Sequence, residues 1–264
     1  MPEQIPQRLY PPPLLWHERL YHRDQLRAAR YSALADAEGF HSVCFALEAL
    51  GLRLLGEKAE LGKYEPKLRE LSQESVVLTE MSTCYAGIFS KFSPLFDLVR
   101  SARNDAMHTG VYARHATVAA MELCIGLEEA LMKEKQLARS LVEDFMVKSP
   151  ITVEPWQPVA HARQLMLMHS FSFLPVFIGS WKLLSEGAMA RYMRSDGHWK
   201  DLLSATIECA AANGLDLVDA TVVELKQEVR SLLIADHVSG AQRLWLVQDA
   251  YEKLCGVLSP FELM

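Results

Sequence analysis

The sequence predicts an α+β chain in two parts, an all-α helical bundle followed by an α/β pair of repeated units, and three observations carry that prediction. Residues 18–135 keep apolar positions at helical spacing, with few β-branched runs. Past a linker near residues 134–141 the pattern changes to short strands alternating with helices. Within that second half one block of strand, helix and strand occurs twice.

Composition sets the frame for both parts. A chain of 264 residues, half of them hydrophobic, buries a real core and favours two domains. The longest apolar runs, residues 171–179 and 118–127, are too short to span a bilayer, and the Pro-rich start, residues 1–13, lacks a basic-then-apolar signal pattern. A cytoplasmic protein without membrane segments is expected. Cys44, Cys84, Cys124, Cys209 and Cys255 are scattered and never spaced as C-x-x-C, so neither zinc nor a disulfide frame is expected. Most of them fall among apolar neighbours and read as small buried hydrophobes. The net charge of −6 argues against a nonspecific nucleic-acid coat, and no DNA partner is indicated.

The helical half takes up residues 18–138, after a tail at residues 1–17. Its first helix carries Arg19, Arg23, Arg27 and Arg30 at helical spacing, a basic ridge that reads as a solvated face more readily than as an RNA track. Breaks are predicted at Gly39, Gly62, Pro66 and Pro94. Phe40, Val43, Cys44, Leu47, Leu50, Leu54 and Leu55 form an i, i+3, i+4, i+7 stripe, the mark of a core helix. Ser93 followed by Pro94 predicts an N-cap and first turn for a helix running through Leu95, Phe96, Leu98 and Val99. Gly110 is its expected stop, before a long helix from Tyr112 to Lys133. Were the helix to continue instead, His115 would join the same side.

Near the end of that predicted helix stand Arg103, Asn104 and His108. On a continuous helix Asn104 and His108 are i,i+4 neighbours, and the long Arg103 side chain reaches the same spot. A guanidinium offers paired donors to phosphate oxygens and an imidazole titrates near neutrality, a combination suited to cleaving a phosphodiester without a metal. The same residues also fit a capped helix end, with Asn104 and Asp105 bonding backbone and His108 an ordinary, partly buried histidine. A bundle with a core helix over residues 40–55, and Arg103-Asn104 and His108 just before a last long helix, resembles a HEPN domain. The resemblance covers residues 18–135. It implies a metal-independent ribonuclease whose site forms at a homodimer interface, with Arg103 stabilising the phosphate, Asn104 orienting it and His108 moving the proton of the attacking 2′-hydroxyl. Relatives without catalysis serve in binding or assembly, so a non-catalytic signalling or scaffold protein is the alternative.

The second half, residues 139–264, holds the two copies, at about 139–195 and 215–264, joined by an amphipathic helix over residues 199–213 that Gly214 closes. The first copy runs through Val142-Glu143-Asp144-Phe145-Met146, then Ile151-Thr152-Val153, a helix ending near Met168, and Leu174-Pro175-Val176. The second runs through Val222-Val223, a helix near residues 228–236, Leu244-Trp245-Leu246-Val247 and Leu254-Cys255-Gly256-Val257-Leu258-Ser259. This order resembles a tandem pair of cystathionine-β-synthase (CBS) domains. The resemblance implies a regulatory module that dimerises and binds an adenosine nucleotide such as AMP, ADP or ATP. Ser259 with Glu262 would serve the ribose hydroxyls, and Thr152 and Pro175 lie near the family's cleft. The matching place in the first copy, Ser185 followed by Ala188, lacks the carboxylate, so one good site per pair is expected. No phosphate-binding glycine loop, H-E-x-x-H helix or nucleophile elbow supports a small-molecule enzyme.

Overall fold

The computed structural model describes residues 11–36, 39–109, 114–133, 141–195, 198–235 and 244–264. The chain divides into two compact units between residues 138 and 139. Most of the linker expected near residues 134–141 and the stop expected at Gly110 lie outside the described residues.

Among the described residues the first unit holds helices only: α1 (Trp16–Ala35), α2 (Phe40–Leu55), α3 (Leu61–Ser72), a π-helical turn (Val77–Met81), α4 (Ser82–Cys84), α5 (Phe92–Thr109) and α6 (Arg114–Met132). They enclose one core in which Phe40, Leu47, Leu50, Leu68, Phe96, Val99, Leu123 and Leu127 are fully buried. The stripe expected on α2 packs into it, with Leu54 and Leu55 half-buried at its margin. Gly39 does precede a helix, but Gly62 and Pro66 do not break one. Both lie inside α3, where burial of Leu61, Tyr64, Leu68 and Leu71 outweighs the bond Pro66 cannot donate. Ser93 is already helical, since α5 begins at Phe92, and Pro94 still falls in the first turn, where no partner for its missing N–H exists. His115 belongs to α6 rather than to a continued α5.

The basic ridge of α1 is a correction to the expected solvated face. Arg19 and Arg23 are buried, and Arg27 and Arg30 are half-buried. Arg19 Nη1 donates to the Ala130 and Leu131 carbonyls at 3.2 and 3.5 Å, among the last of α6, and to Glu74 at 3.2 Å. Those carbonyls are the negative end of the α6 dipole, so the guanidinium both satisfies and neutralises them. Arg30 clamps Glu128 through two bonds of 2.9 and 3.2 Å, and Arg27 reaches the same carboxylate at 3.6 Å. The spacing was that of one helical face; its partner is α6 and not water.

The second unit comprises α7 (Val142–Phe145), β1 (Val147–Lys148), α8 (Val159–His169), β2 (Phe173–Ile178), β3 (Ser180–Ser185), α9 (Glu186–Tyr192), α10 (Trp199–Ser204), α11 (Ile207–Ala212), β4 (Val218–Asp219), β5 (Thr221–Glu224), α12 (Val229–Ala235), β6 (Trp245–Gln248), β7 (Leu254–Leu258) and a 3-10 turn (Pro260–Leu263). The single helix expected over residues 199–213 is two helices. Ala205 is extended, its carbonyl accepts from Val159 N–H at 2.9 Å, and Thr206 caps α11 by accepting from Cys209 N–H at 3.2 Å. Gly214 then turns the chain at φ 104°, a conformation glycine adopts without strain.

Two sheets form, ordered β1-β7-β6-β5 and β2-β3-β4. Each contains a strand from the other copy: β1 of the first pairs with β7 of the second, and β4, opening the second, pairs with β3 of the first. The close crossing of β1 needs Gly256, where an added Cβ would stand 2.4 Å from Met146 Sδ and 3.2 Å from the Val147 carbonyl. Leu174, Val176, Leu184 and Ile207 anchor one core, and Val142, Trp245, Val247 and Leu258 the other.

Candidate functional site

The polar helix end of the first unit is built on α5, which runs unbroken through Arg103, Asn104 and His108. Arg103 is half-buried and turns toward α2, where its Nη2 donates to Glu48 Oε1 at 2.9 Å. Asn104 is exposed on the same turn. His108 follows one turn further along the helix, with its side chain outside the described residues. Beneath Glu48 lies Cys44, whose thiol burial, and next the Glu48 charge, push up to about 12. That thiol is therefore no nucleophile. Chemically this end offers a guanidinium held by one carboxylate, with an amide beside it.

In the second unit a cavity of about 630 Å3 opens between the two copies, a size in the range of small-molecule sites. One wall comes from Val147 and residues 149–151, a second from residues 170–173 with Pro175, and a third from Leu244, Val257 and residues 259–262. Pro175 sits on the β2 edge opposite Leu183, and its carbonyl accepts from Val153 N–H at 3.0 Å. Because the N and O of one strand residue point to the same side, its missing N–H leaves the β2–β3 ladder intact. Ser149 and Ser170 hold φ of 55° and 54°, left-handed values uncommon without glycine, and both line the cavity. Ser170 ends α8 there and swings the chain into the wall formed by Phe171 and Phe173.

The polar corner of the cavity is Ser259 with Glu262. Ser259 donates to Glu262 Oε2 through its N–H at 2.8 Å and its Oγ at 2.5 Å, while the same Oγ accepts from Phe261 N–H at 3.2 Å. This reciprocal cap fixes the carboxylate at the start of the 3-10 turn. Both bonds land on Oε2, leaving Oε1 for a ligand hydroxyl. The matching corner of the first copy has only the Ser185 hydroxyl, which accepts from Ala188 N–H at 3.1 Å.

The structure thus gathers Ser259, Glu262 and Pro175 around one cavity. Thr152 stands outside the lining, whereas its neighbour Ile151 belongs to it. Sequence reasoning missed Phe171, Phe173 and Phe261, since an aromatic in an apolar run has the same pattern whether it faces a core or a cavity. Among the cysteines, Cys44 and Cys124 are buried as expected, whereas Cys84 and Cys209 are exposed. Among the described residues no cluster of three metal-ligating side chains occurs, and no helix is long and apolar enough to cross a membrane.

The exchange of first strands between two copies of one strand-helix-strand unit defines a tandem α/β pair. Among solved structures, the chain is similar to a hemolysin-like protein containing a CBS domain from Oenococcus oeni, at 18% identity over 49% of this chain and 91% of that one, with a TM-score of 0.38. It is similar to a CBS domain-containing protein from Bacillus anthracis, at 16% identity over 49% and 94% with a TM-score of 0.39. A third likeness is to the CBS domain of the bacterial CNNM/CorC family Mg2+ transporter in complex with ATP, at 16% identity over 48% and 87% with a TM-score of 0.39. No family model matches the chain, and no curated protein matches it.

Proposed function

We propose that the chain is a homodimeric regulatory protein of the cytoplasm, with a HEPN-like helical domain at residues 18–138 and a CBS pair at residues 139–264 that senses an adenosine ligand. The observation that carries this reading is the 630 Å3 cavity, which sets a capped carboxylate across from an apolar, aromatic wall. Glu262 Oε1 accepts from the ribose hydroxyls, and the purine packs among Phe171, Phe173 and Pro175. Exposed Leu167, Met168 and Trp199 on the helix side of the first copy supply apolar area for a second copy. Calorimetry of the full chain with adenosine nucleotides tests the reading. Binding of at least one of them, weakened by Glu262→Ala, is expected; no binding by any would overturn it.

A second reading gives the first unit catalysis, as a metal-independent ribonuclease cleaving RNA by 2′-hydroxyl attack. It is favoured by Arg103 and Asn104 preceding His108 on one continuous helix. There Arg103 would stabilise phosphate charge, Asn104 orient it and His108 carry the proton, with the CBS pair gating the reaction. Labelled structured RNA incubated in EDTA with the protein and with His108→Ala decides it. Cleavage with cyclic-phosphate ends, lost in the variant, is the expected result; no cleavage with or without nucleotide leaves the sensing or scaffold role alone.

A further inference from the structure

A second concave site lies on the helical side of the first copy, a groove of about 620 Å3 bordered by α8, α9 and the start of α10. That volume suits a small molecule. Its floor is apolar and adaptable, since Met166, Met189 and Met193 line it and all three are buried; unbranched thioether side chains adjust to the shape of a guest. Leu167 and Trp199 line it from the surface, 65% and 51% exposed. The charged groups of its lining are two guanidiniums, Arg163 and Arg194, and one carboxylate, Glu186. Arg163 is half-buried and stands 5.8 Å from the centre of the Trp199 ring, a cation–π contact that orders its long side chain beside the groove. Among the described residues it meets no carboxylate. The ring offers no carboxylate oxygens, so the N–H fork of Arg163 remains able to take a planar anion in paired bonds, and partial burial strengthens them.

We propose that this groove binds an amphiphilic carboxylate, its unbranched alkyl chain lying along the methionines and its head paired with Arg163 and assisted by Arg194. An apolar trough bordered by guanidiniums is the complement of an apolar tail with an anionic head. The assignment stands apart from the adenosine reading, because Arg163 and Leu167 do not line the cavity between the copies and variants there read the groove alone. Leu167 and Trp199 also belong to the face given above to a second copy, which is the competing occupant.

Isothermal calorimetry of the full chain with octanoate, octan-1-ol and octylamine, which share one chain length and differ in head charge, tests this. Octanoate is expected to bind about tenfold or more tightly than octanol, and octylamine most weakly. Arg163→Gln, checked for folding by its melting curve, is expected to lose about tenfold toward octanoate and to leave octanol unchanged. Leu167→Gln, at an exposed position, is expected to weaken both guests. Octylamine or octanol binding as tightly as octanoate, or an Arg163→Gln variant with undiminished affinity, would overturn the proposal. So would a chain that takes no octanoate, and light scattering then reads the other occupant: a dimer that Leu167→Gln dissociates means that a second copy covers the groove.

Discussion

Arg103 on α5 and Glu48 on α2 are joined by a bond of 2.9 Å, with each side chain about 30% exposed at 31% and 29%. The cation of the polar helix end is therefore held by a carboxylate of α2. An ion pair this accessible to water contributes about 0.2–1 kcal/mol. A double-mutant cycle of Glu48→Gln and Arg103→Gln, read by urea unfolding, is expected to give a coupling energy in that range. A coupling above about 2 kcal/mol would mean the pair is a structural linchpin rather than a device for presenting the guanidinium.

Acid should weaken the first unit in two steps. Burial holds the His22 imidazole below its ordinary 6.5, so on lowering pH the unfolded chain takes up a proton that the folded protein refuses. Stability is full above that ordinary value and falls as the pH drops through it, by at most about 1.4 kcal/mol per pH unit. The second step belongs to Glu18, which Arg53 grips through two bonds of 2.7 Å and holds down to about 2. Its contribution is present above 4.5 and disappears toward about 2. Urea midpoints measured against pH should lose the upper step in His22→Leu and the lower step in Glu18→Gln.

Thiol labelling of the folded protein near neutral pH should divide the cysteines. Cys84 and Cys209 are exposed and should react first. Cys44 and Cys124 are buried, and burial is the main cause that raises both thiols, so they should react only in denaturant. Peptide mapping by mass spectrometry reads the order, and fast labelling of Cys124 without denaturant would contradict the core as described.

Gly51 lies where α2 meets α3, and a Cβ there would stand 2.4 Å from Tyr64 Cγ. Gly51→Ala is expected to cost about 1–3 kcal/mol through overpacking. Gly87→Ala, with nothing within 4 Å of the new atom, should stay within about 0.5 kcal/mol. Urea unfolding of the two variants side by side checks the contrast.

Much of the fold was legible because it rests on periodicity. The α2 stripe from Phe40 to Leu50 and the apolar strands at Leu174 and Trp245 have patterns that only a core can use. The errors came where a local signal met a distant partner. Pro66 reads as a breaker until the burial of Leu68 and Leu71 is weighed against it, and the arginines of α1 read as solvated until the carbonyl end of α6 is set beneath Arg19. The carboxylate corner, Ser259 with Glu262, was visible because a cap is local in sequence. The aromatic walls were not, because the side to which Phe171 or Phe173 turns depends on which strand is its neighbour.

The sequence by itself determined that the chain has a helical half and a twice-repeated strand-helix half, and that one repeat ends in a serine and a carboxylate while the other lacks the carboxylate. Those are properties of composition, spacing and short-range chemistry, which a chain carries before it folds. Only the tertiary structure decided that β1 and β4 change places between the copies, so that the corner at Glu262 faces the wall at Pro175 across one cavity. Strand pairing is settled by hydrogen bonds and buried area between segments more than a hundred residues apart, such as Val147 with Val257, and no local pattern records it.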